Sequence, residues 1–407
     1  MKPAVLLLGT FDTKGAEYAF VRDVIQRRGH DVLTMDLGIL SGSPGPDFPV
    51  DIPASRVAEA GSASLDALRQ RRDRGSAVQA MQEGARILVR ALWEERRFGG
   101  VLGLGGGGGT AMITAAMREL PVGVPKLMVS TMASGQVAPY VDVKDITMMY
   151  SVVDLAGLNP VSARILSNAA GAICGMLEDA DGQGIGPARP MLAASMFGVT
   201  TPCVTAARAR LEAAGYDVLV FHATGSGGRA MEGLIADGYF AGVLDVTTTE
   251  WCDEVVGGVL SAGPDRLSAA GRKGLPQVVS VGALDMVNFG PESSVPERFR
   301  GRTLYRHNDS VTLMRTTAAE CREIGRRIAG QLAQAAGPVT LILPLRGVSM
   351  LDAEGQPFHD PDADRALFAS LREHAGPSVV VREIDRHIND PEFAHALADE
   401  LLLHLRP

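Results

Sequence analysis

Cysteine is scarce in this chain, with four residues among 407, at Cys174, Cys203, Cys252 and Cys321. They are scattered along the sequence and form no CxxC pair. Disulfide frameworks and cysteine-based zinc sites both need closely spaced cysteines, so this pattern excludes both classes. It is typical of a reducing compartment, and we expect a cytoplasmic protein without a metal site of its own.

A surplus of positive charge is also missing. Lysine and arginine total 39 against 47 aspartates and glutamates, which gives a formal net charge of −8. Aromatic residues make up 5% of the chain. Because nucleic-acid binding depends on a basic surface, we expect no nucleic-acid partner.

Long hydrophobic runs are absent as well. The apolar run Ala4–Leu8 is too short for the core of a secretory leader and predicts a buried strand. Residues 99–117 carry no charge, but eight of these 19 residues are glycine. A strand, a glycine loop and a helix start explain that stretch better than a membrane span, so we expect no membrane association.

The order of the remaining patterns predicts the fold. A strand at 5–8 is followed by a helical pattern over 16–28 and a second strand at 31–36, which together form a βαβ unit with a parallel sheet. A long helical region over 65–97 is expected to break near Gly75, and 180–190 has the composition of a linker.

The same order restarts in the second half of the chain, where GYDVLVFHAT resembles GHDVLTMDLG of the first half. We therefore predict an α/β protein of two Rossmann-like domains with mainly parallel sheets, a nucleotide-binding domain over 1–182 and a second domain over 190–407. Later strands are predicted at 242–246, 277–282, 311–314, 339–344 and 378–384.

The first candidate site directly follows the first strand. Backbone N–H groups, two hydroxyls and an ammonium group are available to an anion at this turn. Lys14 is one of only five lysines in the chain. Neither standard phosphate-loop motif is present, and a helix cap with a solvated lysine is the alternative. The residues predicted to bind a nucleotide here are Gly9, Thr10, Phe11, Asp12, Thr13 and Lys14.

A run of five glycines forms the second candidate, again between a strand and a helix. Consecutive glycines lose much conformational entropy on folding and have no side chains to pack. Close approach of the backbone to a ligand would explain why they are present. A passive flexible loop is the alternative. The residues predicted to bind phosphate are Gly105, Gly106, Gly107, Gly108, Gly109 and Thr110.

Three further residues complete the predicted nucleotide site. Asp36 ends the second strand, where an acid often binds ribose hydroxyls, although a capping role is equally open. Thr131 and Ser134 follow the fourth strand and could form a ligand wall. The segment 69–74 forms a local basic run. A solvated helix face is one interpretation of it, and contact with a triphosphate across a cleft or a subunit boundary is the other. Its arginines are Arg69, Arg71, Arg72 and Arg74.

The second domain offers a matching glycine-rich turn after a strand. Its residues Gly225, Ser226, Gly227, Gly228 and Arg229 are predicted to receive an anion. Low-specificity candidates for a general base are His222, Glu250 and His307, which we expect to share one pocket at the carboxyl edge of a parallel sheet. Separate caps and surface positions are the alternative. No recognised catalytic or metal-binding motif accompanies them.

The same segments resemble the Tm-one-like ATP-binding family. The matching strings include GTFDTKGAEYAF, GLGGGGGTAMITAAMRELPVGVPKLMVSTMASG, ATGSGGRAMEGLI and GVLDVTTTEWCDEVVGG, and the likeness extends over essentially the whole chain. The resemblance implies two Rossmann-like domains, ATP binding in the first domain and assembly into homo-oligomers. It supplies no reaction, and the viral inhibition associated with plant members is not carried over.

Two functions follow from these patterns. The first is an ATP-binding protein, with or without Mg²⁺, in which the glycine-rich loops of the N-terminal domain hold the nucleotide. The second is an enzyme that acts on a small anionic metabolite in a cleft of the C-terminal domain.

Overall fold

The chain divides into two compact units, Met1–Gly184 and Ile185–Pro407. The structure is a computed structural model that describes residues 3–40, 45–71, 73–179 and 189–406. Each unit contains a parallel sheet with helices, which confirms the predicted fold class. The predicted linker at 180–190 falls mostly outside the described residues. In the part of the chain that is described, no helix has the length and apolar character needed to cross a bilayer.

The first unit is built on a five-stranded sheet with the order β2-β1-β3-β4-β5, and every neighbouring pair is parallel. Its described elements are β1 (Val5–Gly9), α1 (Phe11–Arg27), β2 (Val32–Asp36), α2 (Ala54–Ala60), α3 (Leu65–Arg71), α4 (Arg74–Glu94), β3 (Gly100–Gly105), α5 (Gly107–Met117), β4 (Lys126–Ser130), α6 (Ala138–Val141), β5 (Thr147–Tyr150) and α7 (Pro160–Glu178). Because β2 and β3 lie on opposite sides of β1, the order reverses between β1 and β3. Ligands of open α/β sheets bind in the crevice at such a switch point.

Strand β1 is buried on both faces of the sheet. Leu6 and Leu8 pack into a core with residues of α4 and α5, whereas Val5 and Leu7 pack into another core with residues of α1 and α7. All four side chains are fully buried. Burial of each contributes about 1.5–3 kcal/mol, so the continuous apolar run that predicted a strand also holds the helices on both sides of the sheet.

A tyrosine hydroxyl bridges β1 and β3 where their ladder stops. The pairing of the two strands ends at Leu8 and Gly103. Beyond that point the Tyr18 hydroxyl donates to the Leu8 carbonyl at 2.7 Å, and the Leu104 N–H donates to the same hydroxyl at 2.7 Å. A Cβ at Gly9 would overlap this hydroxyl. Gly9 therefore makes room for the bridge that closes the base of the crevice.

The start of one helix in the first unit differs from the prediction, and the break in the long helical region agrees with it. Helix α1 begins at Phe11 rather than at Ala16, with non-helical angles at Lys14 (φ −132°, ψ 26°) that kink its first turn. The long helical region is interrupted at Asp73, close to the break predicted near Gly75, because the Asp73 side chain accepts the Gly75 N–H and starts α4.

The second unit is built on a six-stranded parallel sheet with the order β14-β13-β9-β8-β6-β7. Its described elements are β6 (Met191–Met196), α8 (Thr201–Ala213), β7 (Asp217–His222), α9 (Ser226–Ala236), β8 (Gly242–Thr247), α10 (Glu250–Val256), α11 (Ala269–Lys273), β9 (Gln277–Gly282), β10 (Met286–Phe289), β11 (Leu304–Asn308), β12 (Val311–Arg315), α12 (Ala318–Leu332), β13 (Val339–Pro344), α13 (Pro361–His374), β14 (Val379–Ile384) and α14 (Pro391–His404). Its own switch point lies between β6 and β8.

An additional antiparallel sheet, with the order β10-β12-β11, was not predicted. The strand predicted at 311–314 lies in this antiparallel sheet, and neither β10 nor β11 was predicted. The polar Asn288 interrupts the apolar pattern by which β10 would be recognised in the sequence. Its side chain is nevertheless buried and donates to Asp253 at 2.7 Å. Burial raises the pKa of Asp253 to about 7, although the hydrogen bonds from Asn288 act in the opposite direction.

A buried cluster of carboxyl groups surrounds Arg315 in the second unit. Its guanidinium donates to Asp364 at 2.7 Å and lies 3.4 Å from Asp352, while the Ser349 hydroxyl donates to Asp285 at 2.7 Å. One guanidinium cannot neutralise three carboxylates. Burial, and then the charges of Asp285 and Asp364, raise the pKa of Asp352 to about 9.

We expect Tyr18→Phe to lower the free energy of unfolding of the first unit by about 1–3 kcal/mol, because a buried N–H and a buried carbonyl lose their shared partner. Urea denaturation measures this, with Trp93 fluorescence as reporter in a Trp251→Phe background, since the chain has two tryptophans. Tyr150→Phe is the control, because the Tyr150 side chain is exposed. An equal change in both variants would contradict a special role for the Tyr18 bridge.

We also expect the second unit to lose stability as pH rises between about 4 and 9. Asp352 keeps its proton in the folded state over this range but loses it in the unfolded state, so folding binds protons and is opposed by raising the pH. Asp352→Asn mimics the protonated carboxyl and should be more stable than the wild type at pH 8, with a difference that shrinks towards pH 4. Urea denaturation at several pH values checks this. Asp309→Asn, at an exposed site, should leave the pH dependence unchanged.

Candidate functional site

A cleft of about 620 Å³ lies at the switch point of the first unit. We call it the first-unit cleft. Both turns singled out in the sequence reach its wall, one after β1 and one after β3. The predicted residues that line it are Thr10, Asp12, Thr13, Lys14, Gly106, Gly107, Gly108 and Gly109.

The amino end of α5 supplies the backbone groups of this cleft. Gly106 precedes the helix and provides no side-chain cap. The first N–H bonded back into the turn is that of Thr110, which donates to the Gly106 carbonyl at 2.8 Å. Within the described residues the N–H groups of Gly107, Gly108 and Gly109 therefore have no partner, and they lie at the positive end of the helix dipole.

The packing of the fold does not explain these glycines. None of the three has a positive φ. A Cβ built at Gly107, Gly108 or Gly109 meets no atom closer than 3.8 Å, so alanine would fit each position. Gly105 differs, because a Cβ there would lie 3.0 Å from the backbone of the following turn. Neither packing nor backbone conformation therefore requires glycine at these three positions of α5.

Three cationic side chains surround the same cleft. The Lys14 ammonium donates to the Leu155 carbonyl at 2.5 Å. The Arg69 guanidinium donates to the carbonyls of Ile39 and Leu40 at 3.3 Å each. Arg74 is exposed and makes no hydrogen bond or ion pair with any described residue, and its guanidinium would lie 3.8 Å from a Cβ at Gly108.

The arginines of the segment 69–74 lie in different surroundings. Arg69 and Arg74 line the cleft, whereas Arg71 is an exposed residue outside its lining. Arg72 lies outside the described residues.

The remaining wall of the cleft is apolar, and the sequence analysis missed it. Its side chains come from the segment after β2 and from the helices α3, α4 and α5. A mainly apolar lining with a small number of polar groups is typical of small-molecule sites. The apolar lining residues are Leu37, Ile39, Leu40, Leu68, Ala77, Val78 and Met112.

Three residues predicted for nucleotide binding have internal roles instead. Gly9 accommodates Tyr18, and Phe11 is buried in the core against Tyr18. Asp36 does not line the cleft, because its Oδ1 accepts the N–H groups of Phe11 at 2.9 Å and Gly38 at 2.8 Å. Burial raises the pKa of Asp36. The structure therefore corrects the ribose role predicted for Asp36 to a capping role.

The three hydroxyl residues predicted near the glycine run lie in different places, and none of them lines the first-unit cleft. Thr110 is fully buried, and its hydroxyl forms a hydrogen bond with the Ser130 hydroxyl at 2.7 Å, so it stabilises the turn and does not face the cleft. Thr131 lines a different cavity of about 280 Å³. Ser134 is exposed and lines neither cavity.

In the second unit the predicted anion nest is filled by a side chain of the same unit. The Glu250 carboxylate accepts the N–H of Gly225 at 2.7 Å and that of Gly228 at 3.0 Å. A Cβ at Gly228 would overlap this carboxylate, which explains the glycine. The prediction of an external anion at this nest is therefore corrected: the anion is Glu250 itself.

A buried arginine completes this arrangement. Arg266 donates to Glu250 at 2.6 Å and to both oxygens of Asp245 at 2.5 and 2.8 Å. None of these three side chains is more than 2% exposed. Burial raises the pKa of Glu232, which accepts a further bond from Arg266 at 3.2 Å. Glu250 is thus held as an ion-pair partner and is not available as a general base.

The other second-unit candidates do not join Glu250 in a pocket. His222 is exposed at the end of β7, and His307 is exposed on β11, which belongs to the antiparallel sheet. Ser226 and Arg229 are exposed, and Gly227 packs against the His222 backbone. The shared pocket predicted for His222, Glu250 and His307 is therefore wrong, because two of them lie on different sheets and Glu250 is enclosed.

Two family models match almost the whole chain. The N-terminal domain of the uncharacterised protein family UPF0261 matches residues 3–182, and its C-terminal domain matches residues 189–405.

Individual relatives agree with this assignment. The UPF0261 protein of Clostridium tetani is 50% identical over 403 residues, which is 99% of either chain, and that of Rhizobium meliloti is 51% identical over 96% of either chain. The ToMV resistance protein Tm-1(GCR237) of Solanum lycopersicum is 40% identical over 98% of this chain and 55% of the tomato protein. The resemblance found in the sequence is confirmed, and the chain belongs to the UPF0261 family, with the tomato Tm-1 proteins among its relatives.

Proposed function

We propose that the protein binds ATP in the first-unit cleft. The observation that carries the proposal is the set of three unpartnered N–H groups at Gly107, Gly108 and Gly109, at positions where the fold would accept alanine. Backbone N–H groups at a helix amino end are a general solution for binding phosphate.

The side-chain charges support a phosphorylated ligand. The cleft wall carries Lys14, Arg69 and Arg74 against the two carboxylates of Asp12 and Asp73. Hydrogen bonds between ionised groups contribute about 1.5–3 kcal/mol each, roughly twice a neutral bond. Arg74 can turn its guanidinium to a phosphate without giving up a partner in the described chain.

The apolar wall and the size of the cleft support a nucleotide rather than a bare phosphate. A volume of about 620 Å³ falls within the range of about 300–1,000 Å³ that is usual for sites of drug-sized ligands. Leu37, Ile39 and Met112 offer apolar surface on which a flat base can pack, while the phosphates face α5.

The competing function, an enzyme with its site in the second unit, loses its main support. The nest that would have bound an anionic metabolite already binds Glu250. We therefore propose a nucleotide-binding protein whose second unit has a structural or partner-binding role, in a cytoplasmic homo-oligomer. Its relatives carry family names that state no reaction.

The direct experiment is calorimetric titration with ATP, with adenosine as the comparison ligand. We expect ATP to bind and adenosine to bind at least tenfold more weakly, because adenosine lacks the phosphates that α5 and the cationic side chains contact. No heat and no thermal stabilisation at millimolar ATP, with and without Mg²⁺, would contradict the proposal.

A glycine substitution separates ligand access from folding. We expect Gly108→Ala to weaken ATP binding at least tenfold, because its methyl group covers the bare N–H groups, while stability rises by up to about 1 kcal/mol through helix propensity. Gly175→Ala is the matched control, since Gly175 also lies in a helix with open space around it. It should stabilise the fold and leave ATP affinity unchanged. Unchanged affinity in Gly108→Ala would make the glycine turn a passive connector.

A further inference from the structure

A second cavity opens on the carboxyl edge of the first-unit sheet, next to the glycine turn. It has a volume of about 280 Å³ and lies at the ends of β4 and β5. The residues that line it are Thr131, Tyr150, Ser151, Val152, Val153 and Asp154. Asp154 is the one ionisable carboxylate in this lining, and no cationic side chain accompanies it.

Hydrogen bonds connect this second cavity to the glycine turn strand by strand. The Thr131 N–H donates to the Gly105 carbonyl at 3.3 Å, and the Ser151 N–H donates to the Ser130 carbonyl at 3.2 Å. A Cβ at Gly106 would lie 3.7 Å from the Thr131 hydroxyl. Neighbouring strands lie about 4.8 Å apart, so the ends of β3 and β5 are separated by about 10 Å.

The segment that carries Asp154 is hydrogen-bonded to the first turns of α1, beside the first-unit cleft. Lys14, in the cleft wall, donates to the Leu155 carbonyl, and Glu17, one turn further along α1, accepts the Gly157 N–H at 2.6 Å. Val152 has φ +63°, an uncommon conformation for a β-branched residue. Such strain persists where surrounding contacts enforce a local geometry, and it often marks a functional site.

We propose that Asp154, assisted by the Thr131 hydroxyl, holds the Mg²⁺ ion that accompanies the ATP phosphates. The inference rests on the proposed function, because the phosphates at α5 complete the set of oxygen ligands. Mg²⁺ in nucleotide sites is bound by one or two carboxylates together with phosphate oxygens, and it keeps several waters. Asp154 is exposed and follows the end of β5, and the N–H groups of α5 follow the end of β3, so both lie at the same edge of the sheet, with β4 between the two strands.

The two carboxylates of the first-unit cleft are less suited to this role. Asp73 accepts the Gly75 N–H at the start of α4, and Asp12 accepts the Leu40 N–H at 2.8 Å. Both share their cavity with Arg69 and Arg74, whose charges repel a divalent cation. Asp154 accepts only the adjacent Leu155 N–H among the hydrogen bonds described, and an asparagine can keep that bond.

The test is a titration of Mn²⁺, as a spectroscopic substitute for Mg²⁺, into protein saturated with a non-hydrolysable ATP analogue. Free and bound Mn²⁺ are distinguished by electron paramagnetic resonance. We expect Asp154→Asn to weaken Mn²⁺ binding at least tenfold and Thr131→Val to weaken it by a smaller factor. Asp23→Asn removes the same charge from an exposed position on α1, outside both cavities, and should bind Mn²⁺ like the wild type.

Affinity for the analogue in the presence of EDTA is measured in parallel. It should be the same in the wild type and in Asp154→Asn, because the metal-free nucleotide does not need Asp154. Equal Mn²⁺ affinity in the wild type, Asp154→Asn and Asp23→Asn would overturn the metal site and leave the proposed function standing. Failure of the wild type to bind the analogue under either condition would overturn both.

Discussion

The first unit depends on how its sheet is held open between β1 and β3. Two adjacent parallel strands would ordinarily continue their ladder and close the crevice between them. Here the Tyr18 hydroxyl takes the carbonyl of Leu8 and the N–H of Leu104 at the point where pairing ends. Both backbone groups stay satisfied while the strands separate, so the turns after β1 and β3 can face a common cleft. Burial raises the pKa of Tyr18 and keeps the hydroxyl neutral, as this bridge requires.

The two units use the same kind of sheet edge in different ways. Each has a switch point beside its first strand and a glycine-rich turn at the amino end of a helix. The turn follows β3 in the first unit, whereas in the second unit it follows the edge strand β7. In the second unit Glu250 binds that turn, and Arg266 and Asp245 fix the carboxylate in place. In the first unit the N–H groups of Gly107, Gly108 and Gly109 have no such partner within the described residues. This difference between the two turns is the reason for proposing a ligand site in the first unit.

Local sequence predicted the fold and half of the site for clear reasons. The apolar run of β1 and the glycines after β3 act through their neighbours in sequence, so spacing was enough to locate both turns. Asp36 and Glu250 were misassigned because each accepts a backbone N–H from a residue some 25 positions away. The sequence alone does not distinguish a carboxylate that caps such a group from one that binds a ligand. Tyr18 and the apolar wall were missed because burial and proximity to the cleft follow only from how the helices pack.

The most direct measurement is a crystal structure of the protein with a bound non-hydrolysable ATP analogue. The account predicts phosphate oxygens within about 2.7–3.2 Å of the N–H groups of Gly107–Gly109, with the base against the apolar wall formed by Leu37 and Met112. It also predicts that Glu250 keeps its place at Gly225 and Gly228. An analogue bound in the second unit, or one bound in the first unit away from α5, would contradict the assignment of the nucleotide site.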